Sequence, residues 1–436
     1  MPIDDTDNNH LNTWVLVLAC ILVAWHTFMV LLSLLGQYVG QTRYKQKLTP
    51  QTPQMALEHV PGVSILRPLK GIDLELEENL RSSFEQRYPK FEIIFSIASP
   101  NDPAIPIVER LMKEYKEVDS RLIIGDKCVG INPKINNMIE SYHSAKHDII
   151  WILDSNVRVD RDTMGRSVDL LLEPGIGLVH HLPIAVDPAS YAAEVEQVFL
   201  DTNHAKMYLA INWVGVASCV MGKSNLYRRS DLDKVGGLEA FGKYMAEDNL
   251  VGEALWHQGL RHRMSSDTAC QVLGPISPKG YCARRARWVR LRKYIVTAAT
   301  LTEPFTESIV CGLLGALGYR LLFGISAVQF FLVHWSLWFV NDLWLFRTLN
   351  GAAPDHRLRQ PIPAPFAYGK FLRAWLSREV LALPLYMYAM FGTQIAWRDQ
   401  QYRCLSDGTA VAISSDDTFH TTALLTNSIN DDDKTF

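Results

Sequence analysis

Three aspartates and one arginine-rich stretch carry the residue types that group transfer needs. Asp102 lies in the loop Ser99-Pro100-Asn101-Asp102-Pro103, directly after the apolar run Glu92 to Ala98. Asp154 closes the apolar run Asp148 to Leu153 and opens Asp154-Ser155-Asn156. A carboxylate at the end of such a strand suits a divalent ion and a diphosphate, because hard cations take oxygen ligands and bridge carboxylate to phosphate. Asp248, in Ala246-Glu247-Asp248-Asn249, opens the helix-like run Leu250 to His257 after a loop bearing Gly236, Gly237 and Gly242. A carboxylate there suits a general base facing an acceptor. Each of the three equally suits a plainer role as a turn or helix N-cap aspartate. The stretch Arg284 to Lys293 (RRARWVRLRK) offers guanidinium groups suited to bidentate phosphate binding. The same stretch, as a basic amphipathic helix, also suits anionic lipid headgroups.

These residues need a frame. From about 60 to 300, short β-rich runs alternate with helical patterns. The runs are Val63 to Leu66, Glu92 to Ala98, Arg121 to Ile124, Asp148 to Leu153 and Gly177 to Val179. The helical segments include Leu74–Phe84, Ile105–Tyr115 and Pro133–Tyr142. This alternation predicts an α/β domain, a mostly parallel sheet with helices on both faces. In such sheets ligands bind beyond the carboxyl ends of the strands, where Asp102 and Asp154 stand.

The ends of the chain are of another character. Of 436 residues, 48% are hydrophobic and only 20% charged, with a mean hydropathy of +0.00, so a polar domain joined to membrane segments is expected. Trp14 to Leu35 is nearly free of charge and long enough to cross the ~30 Å hydrocarbon layer. It lacks a basic region before it, so it reads as a retained helix rather than a signal peptide. Asp4, Asp5 and Asp7 precede it and Arg43, Lys45 and Lys47 follow, which places the N-terminus in the lumen and the domain in the cytosol. Residues 1–40 thus form a lumenal N-terminus and a transmembrane helix. Residues 304–400 read as C-terminal membrane helices: a pair within Ile309–Phe346 broken near Arg320, and a third over about Val380–Trp397 containing Pro384. A Pro-rich loop lies between, and 405–436 reads as a disordered acidic tail. Seven cysteines without metal-ligand spacing argue against a zinc site or a disulfide framework. A formal net charge of −3 gives no sign of a nucleic-acid partner.

Taken in order, Asp102, Asp154, Asp248 and Arg284-x-x-Arg287-Trp288 resemble the D…D…(E)D…(Q/R)xxRW signature of family 2-like, membrane-associated inverting glycosyltransferases. Longer strings narrow the resemblance to glycosyltransferase family 21, the ceramide glucosyltransferases. They include Pro61-Gly62-Val63-Ser64, Leu69-Lys70-Gly71, Asp102-Pro103-Ala104-Ile105, Val129 to Asn137 (VGINPKINN), Gly177-Leu178-Val179-His180 and Trp397-Arg398 with Tyr402-Arg403. The resemblance spans roughly residues 60–405. It implies a GT-A fold, a UDP-glucose donor, a ceramide acceptor held in membrane lipid, and a divalent metal, Mg²⁺ or Mn²⁺. It implies that Asp102 contacts the nucleotide, that Asp154 binds metal and diphosphate, and that Asp248 is the catalytic base. Arg284, Arg287 and Trp288 would hold the diphosphate or the acceptor end, Lys134 would lie near the donor, and His204 near the acceptor pocket. Lys134 as a surface lysine and His204 as a structural histidine remain open alternatives. Related transferases often show Asp-x-Asp where this chain has Asp154-Ser155-Asn156, so one metal ligand is neutral or absent. A multi-pass protein of the Golgi membrane is the expected setting.

Two other readings compete. A processive polysaccharide synthase shares the signature but needs more helices to line a polymer channel. A non-catalytic scaffold with a transferase-like domain would be expected to lack one of the aspartates or the arginine motif, and all are present.

Overall fold

The computed structural model describes residues 5–44, 47–352, 367–397 and 400–413. Asp4, Lys45, Arg398, most of the Pro-rich loop and the tail beyond 413 lie outside the described residues. The helices are α1 (Asp5–Arg43), α2 (Leu76–Phe84), α3 (Ile105–Glu114), α4 (Pro133–Ser144), α5 (Thr163–Leu171), α6 (Tyr191–Phe199) and α7 (Ala205–Val214). They continue with α8 (Arg229–Asp233), α9 (Glu247–His257), α10 (Pro278–Ile295), α11 (Thr297–Thr306), α12 (Ser308–Phe323), α13 (Ala327–Ala352) and α14 (Tyr368–Met390). The strands are β1 (Val63–Leu69), β2 (Phe91–Ile97), β3 (Asp119–Ile124), β4 (Ile149–Leu153), β5 (Val157–Arg158), β6 (Ile176–Val186), β7 (Ser224–Arg228), β8 (Arg261–Val272), β9 (Gln394–Trp397), β10 (Gln400–Cys404) and β11 (Ala410–Ala412).

An eight-stranded sheet of order β3-β2-β1-β4-β7-β6-β8-β5 forms the centre. Its first strands are unbroken apolar runs because both of their faces are covered. Ile65, Ile93, Phe95 and Trp151 meet Leu76, Leu80 and Phe84 of α2, Val108 and Leu111 of α3, and Val168 of α5. Their neighbours one residue along, Leu66, Ile94, Ile150 and Ile152, point the other way, onto Ile135, Met138 and Ile139 of α4 and Val251 and Leu255 of α9. The period of two along each strand thus builds two cores from one sheet.

The sheet is mostly parallel, as the alternation predicts, but it is mixed: β7 and β5 run against the other strands. β3, β2, β1 and β4 pair in parallel, but β7 runs antiparallel to both β4 and β6. Helices α6 and α7 return the chain at the end of the sheet where β6 leaves, so β7 runs against its neighbours. The consequence reaches the site: Leu153, the last residue of β4, pairs with Ser224, the first of β7. Asp154 and Lys223 are thereby set side by side.

Three expectations for the C-terminal part also change. The break between α12 and α13 falls at Gly324, in the left-handed conformation that favours glycine, and not near Arg320, which lies inside α12. The third helix begins earlier, at Tyr368, and ends at Met390; Gln394 to Trp397 is the strand β9. Within the expected disordered tail, Ala410–Ala412 form β11, which pairs with β10. Among the described residues α1 is the one helix long and apolar enough to cross a membrane by itself, over Thr13–Arg43. α11 and α12, bent by 70°, reach that standard together. α13 carries His334, Asn341 and Asp342 inward, where Asn341 donates to Ser33 of α1 and Asp342 pairs with Lys206 of α7. Small residues let these helices approach closely. A Cβ on Gly315 would lie 2.5 Å from the His26 ring of α1, and one on Gly312 would lie 2.5 Å from the His334 ring of α13.

Candidate active site

The site begins with the cap of α4. Asn132 accepts from the backbone N–H groups of Lys134 and Ile135 at 2.9 and 3.3 Å, and Pro133 supplies a helix-ready first position. This aims the Lys134 side chain across the carboxyl end of the sheet. Its ammonium pairs with Asp154 Oδ1 at 2.9 Å and Glu247 Oε1 at 3.0 Å, and reaches the Gly222 carbonyl at 3.4 Å. Asn132 also donates to Glu247 Oε2 at 2.8 Å. One cap residue therefore positions both the half-buried Lys134 and Glu247, one of its two carboxylate partners.

Asp154 carries a second lysine. Lys223 Nζ lies 2.8 Å from Asp154 Oδ2 and 3.3 Å from Asn156 Oδ1. Burial alone would raise the Asp154 pKa, but Lys134 and Lys223 outweigh it and hold the carboxyl at about 2. Burial likewise works against the charge on Lys134, and the carboxylates of Asp154, Glu247 and Asp248 raise its pKa in spite of it. On Lys223 burial prevails and lowers the pKa, although Asp154 opposes it.

Asp248 stands in the first turn of α9, in a small cavity of about 20 Å³ lined by Lys134, Gly222, Tyr227, Glu247 and Asp248 among others. Gly222 is what leaves it room: a Cβ there would sit 2.6 Å from Asp248 Oδ2. Burial first, then the neighbouring Glu247, push the Asp248 pKa up to about 6, with Lys134 opposing. That is the range of a group that is ionised at neutral pH and still basic enough to take a proton.

A second cluster forms on α10. Arg284 pairs with the buried Glu196 of α6 at 2.7 Å and donates to Gln271 at 3.2 Å. Trp288 lies 5.9 Å, centroid to centroid, from His204, which stacks on Tyr208 at 5.6 Å. His204 closes a π-helical turn, Leu200–His204, between α6 and α7. Burial, with Arg285 and Arg292 nearby, lowers its pKa to about 3, so the ring stays neutral and offers shape and a hydrogen bond rather than charge. Tyr208 Oη in turn accepts from the Met221 N–H at 3.1 Å, tying this cluster to the loop that carries Gly222 and Lys223.

Asp154, Asp248 and Lys134 are thus brought into one unit, and His204, Trp288 and Arg284 into another beside it. Asp102 stands apart from both. Its carboxylate accepts from the Gly71 N–H at 2.8 and 3.1 Å and from the Ala104 N–H at 2.9 Å, clasping the loop after β1 to the loop after β2. This is the turn role that the sequence left open for it. Arg287 turns toward the small sheet, over the Trp397 ring at 6.0 Å. Three residues of the site were not singled out from sequence. Glu247 was hidden beside Asp248, and Lys223 needed the antiparallel β7 to reach Asp154. Arg285 is buried, with its guanidinium 3.3 Å from the Phe199 ring centre and Nη1 without a hydrogen-bond partner.

The divalent ion expected at Asp154 does not find its ligands. Both oxygens of that carboxylate are held by ammonium groups, the third residue of the motif is Asn156, and among the described residues no group of three His, Cys, Asp or Glu is placed to hold a metal ion.

A sheet with Asp154 at a strand end, bridged through Lys134 to Glu247 at the start of α9, and followed by a helix bearing RxxRW, defines a glycosyltransferase of the α/β, GT-A type with an N-terminal apolar helix. The profile of Glycosyl transferase family 21 matches residues 23–410. The chain is 38% identical to the ceramide glucosyltransferase of Komagataella phaffii, over 89% of this chain and 90% of that one. It is 32% identical to the ceramide glucosyltransferase of Candida albicans, over 80% and 87%. The Pyrobaculum calidifontis mannosyltransferase PcManGT, solved with GDP-Man and Mn²⁺, is 17% identical over 78% of this chain and 98% of that one, with a TM-score of 0.47. The chain belongs to glycosyl transferase family 21 and is an enzyme of glycosyl transfer.

Proposed function

We propose that the enzyme transfers glucose from UDP-glucose to the primary hydroxyl of ceramide, with inversion, to give β-glucosylceramide. The observation that carries this is Lys134, whose one ammonium pairs with Asp154, at the strand end suited to a diphosphate, and with Glu247, which stands next to Asp248 at the start of α9. Donor and acceptor ends of one displacement are held at a fixed separation.

Asp248, raised to about 6, is mostly ionised at neutral pH and takes the proton of the acceptor hydroxyl as its oxygen attacks the anomeric carbon. The diphosphate leaves from the opposite face, which turns an α-linked donor into a β product. Negative charge building on the leaving group meets Lys134, Lys223 and Arg284, cations already in place and needing no reorganisation. Mg²⁺ or Mn²⁺ would add Lewis-acid stabilisation to the same leaving group, but the described residues do not fit a resident ion and the steps above use none. Asp102 supports the nucleotide end by holding the Gly71 loop. Arg287, Trp288 and His204 line the acceptor side.

The lipid acceptor fits the apolar exterior. Leu16, Ile21, Phe28 and Leu31 of α1 and Val328, Leu332 and Leu337 of α13 are exposed. An apolar surface of that extent is met by lipid, and we place α1 and α12–α14 in or on a Golgi membrane with the catalytic domain in the cytosol. An acceptor with two long chains stays in the bilayer, since leaving it costs ~0.8 kcal/mol per CH₂, so the site stands at the interface.

The test is a donor panel. Purified enzyme with ceramide in nanodiscs is expected to release UDP from UDP-glucose only when ceramide is present. Ceramide-independent turnover into free polymer, or faster transfer from GDP-mannose than from UDP-glucose, contradicts the proposal.

A further inference from the structure

An Asp-x-Asp site would offer a divalent ion two carboxylates, the oxygen ligands that hard cations take alongside a substrate diphosphate. Here the Lys223 ammonium occupies the corresponding place, 2.8 Å from Asp154 Oδ2 and 3.3 Å from Asn156 Oδ1. The pairing is matched in charge. One cation meets one carboxylate and one neutral amide oxygen, whereas a divalent ion would lack its second carboxylate.

The proton count singles out Lys223 rather than Lys134. An ammonium has three N–H donors. Lys134 has a partner for each of them, in Asp154, Glu247 and the Gly222 carbonyl. Lys223 has Asp154 and Asn156, which leaves one donor over. Its side chain is 18% exposed, beside Asp154 at 20%, so that donor can reach the cleft. The position is held by backbone as well: the Asp154 N–H donates to the Lys223 carbonyl at 3.2 Å. Arg284 lies close enough to disfavour the charge on Lys223, and a diphosphate entering between the two relieves that repulsion.

We infer that Lys223 is the resident cation of the donor end, and that this enzyme binds its nucleoside diphosphate through Lys223 without a divalent ion. The inference rests on the donor assigned under Proposed function, and the experiment separates the two. UDP binding to the purified full-length enzyme in nanodiscs is measured by calorimetry, in EDTA and then with Mg²⁺ or Mn²⁺.

UDP affinity is expected to change by less than about twofold between these buffers, since no binding free energy passes through a metal. Lys223→Gln should weaken UDP by about tenfold or more, the worth of a charged hydrogen bond to phosphate, while Lys223→Arg stays within a few fold of wild type. The double variant Lys223→Ala, Asn156→Asp restores an Asp-x-Asp pair and is expected to bind UDP only when a divalent ion is added. Thermal unfolding of each variant reports whether it is folded.

Wild-type binding that vanishes in EDTA and returns with Mg²⁺ overturns the inference and leaves the nucleotide donor standing. So does a folded Lys223→Gln variant that binds UDP in EDTA as tightly as wild type. Absence of UDP binding in every buffer overturns the donor assignment and the inference together.

Discussion

At the scale of single residues, the pH behaviour of Asp248 is the most direct consequence of the site. Its raised pKa of about 6 comes from burial and from Glu247. The carboxyl must be ionised to act, so kcat/KM is expected to fall as pH drops through about 6. Removing the negative neighbour favours ionisation, so Glu247→Gln should shift that limb to lower pH. A Glu247 that served only to hold the fold would change the rate without moving the limb. Asp248→Asn should lower kcat by about 10²–10⁴, the usual worth of a positioned base, and leave UDP binding in place. Calorimetry alongside a pH–rate profile reads both outcomes. Asp248 was legible in the sequence because an acidic pair opened a helix after glycines. Lys223 was not, because a lysine after a glycine carries no spacing signal of its own.

At the scale of elements, the cap of α4 and the direction of β7 decide the site. Asn132 holds two N–H groups of α4, the Glu247 carboxylate and the Tyr244 carbonyl. Asn132→Ala is expected to cost about 1–3 kcal/mol of stability, read as a lower melting temperature, and to weaken activity further by freeing Lys134. An unchanged melting temperature would count against this role. The approach of α1 to α7 gives a second test. A Cβ on Gly36 would lie 2.1 Å from the Lys206 carbonyl, so Gly36→Val should drive the two helices apart and lower the yield of folded, membrane-inserted enzyme. Wild-type yield and melting temperature would show that this close approach does not hold the helices.

The sheet shows where sequence reading stops. β1 to β4 were plain because continuous apolar runs buried on both faces alternate with amphipathic helices. The antiparallel course of β7 depends on where α6 and α7 return the chain, which no local pattern encodes. β9 to β11 are short, and their few buried side chains complete a core only together with α10 and Met245, so their pattern gave no warning.

At the scale of the whole molecule, the proposed arrangement sets the catalytic α/β domain and its apolar helices at the cytosolic face of a membrane. A glycosylation acceptor engineered into an exposed loop of the domain, such as that between β2 and α3, is expected to remain unmodified in cells. Modification there would put the domain in the lumen.

The central claim is that one glucose is delivered with inversion to ceramide by Asp248. It is tested most directly by the product itself. Full-length enzyme in ceramide nanodiscs is given UDP-glucose, and the lipid is analysed by mass spectrometry and by NMR of the anomeric proton. The expected product is ceramide bearing a single β-linked hexose on its primary hydroxyl, formed by wild type and lost in Asp248→Asn. An α linkage, several sugars on one lipid, or undiminished product from Asp248→Asn would contradict it.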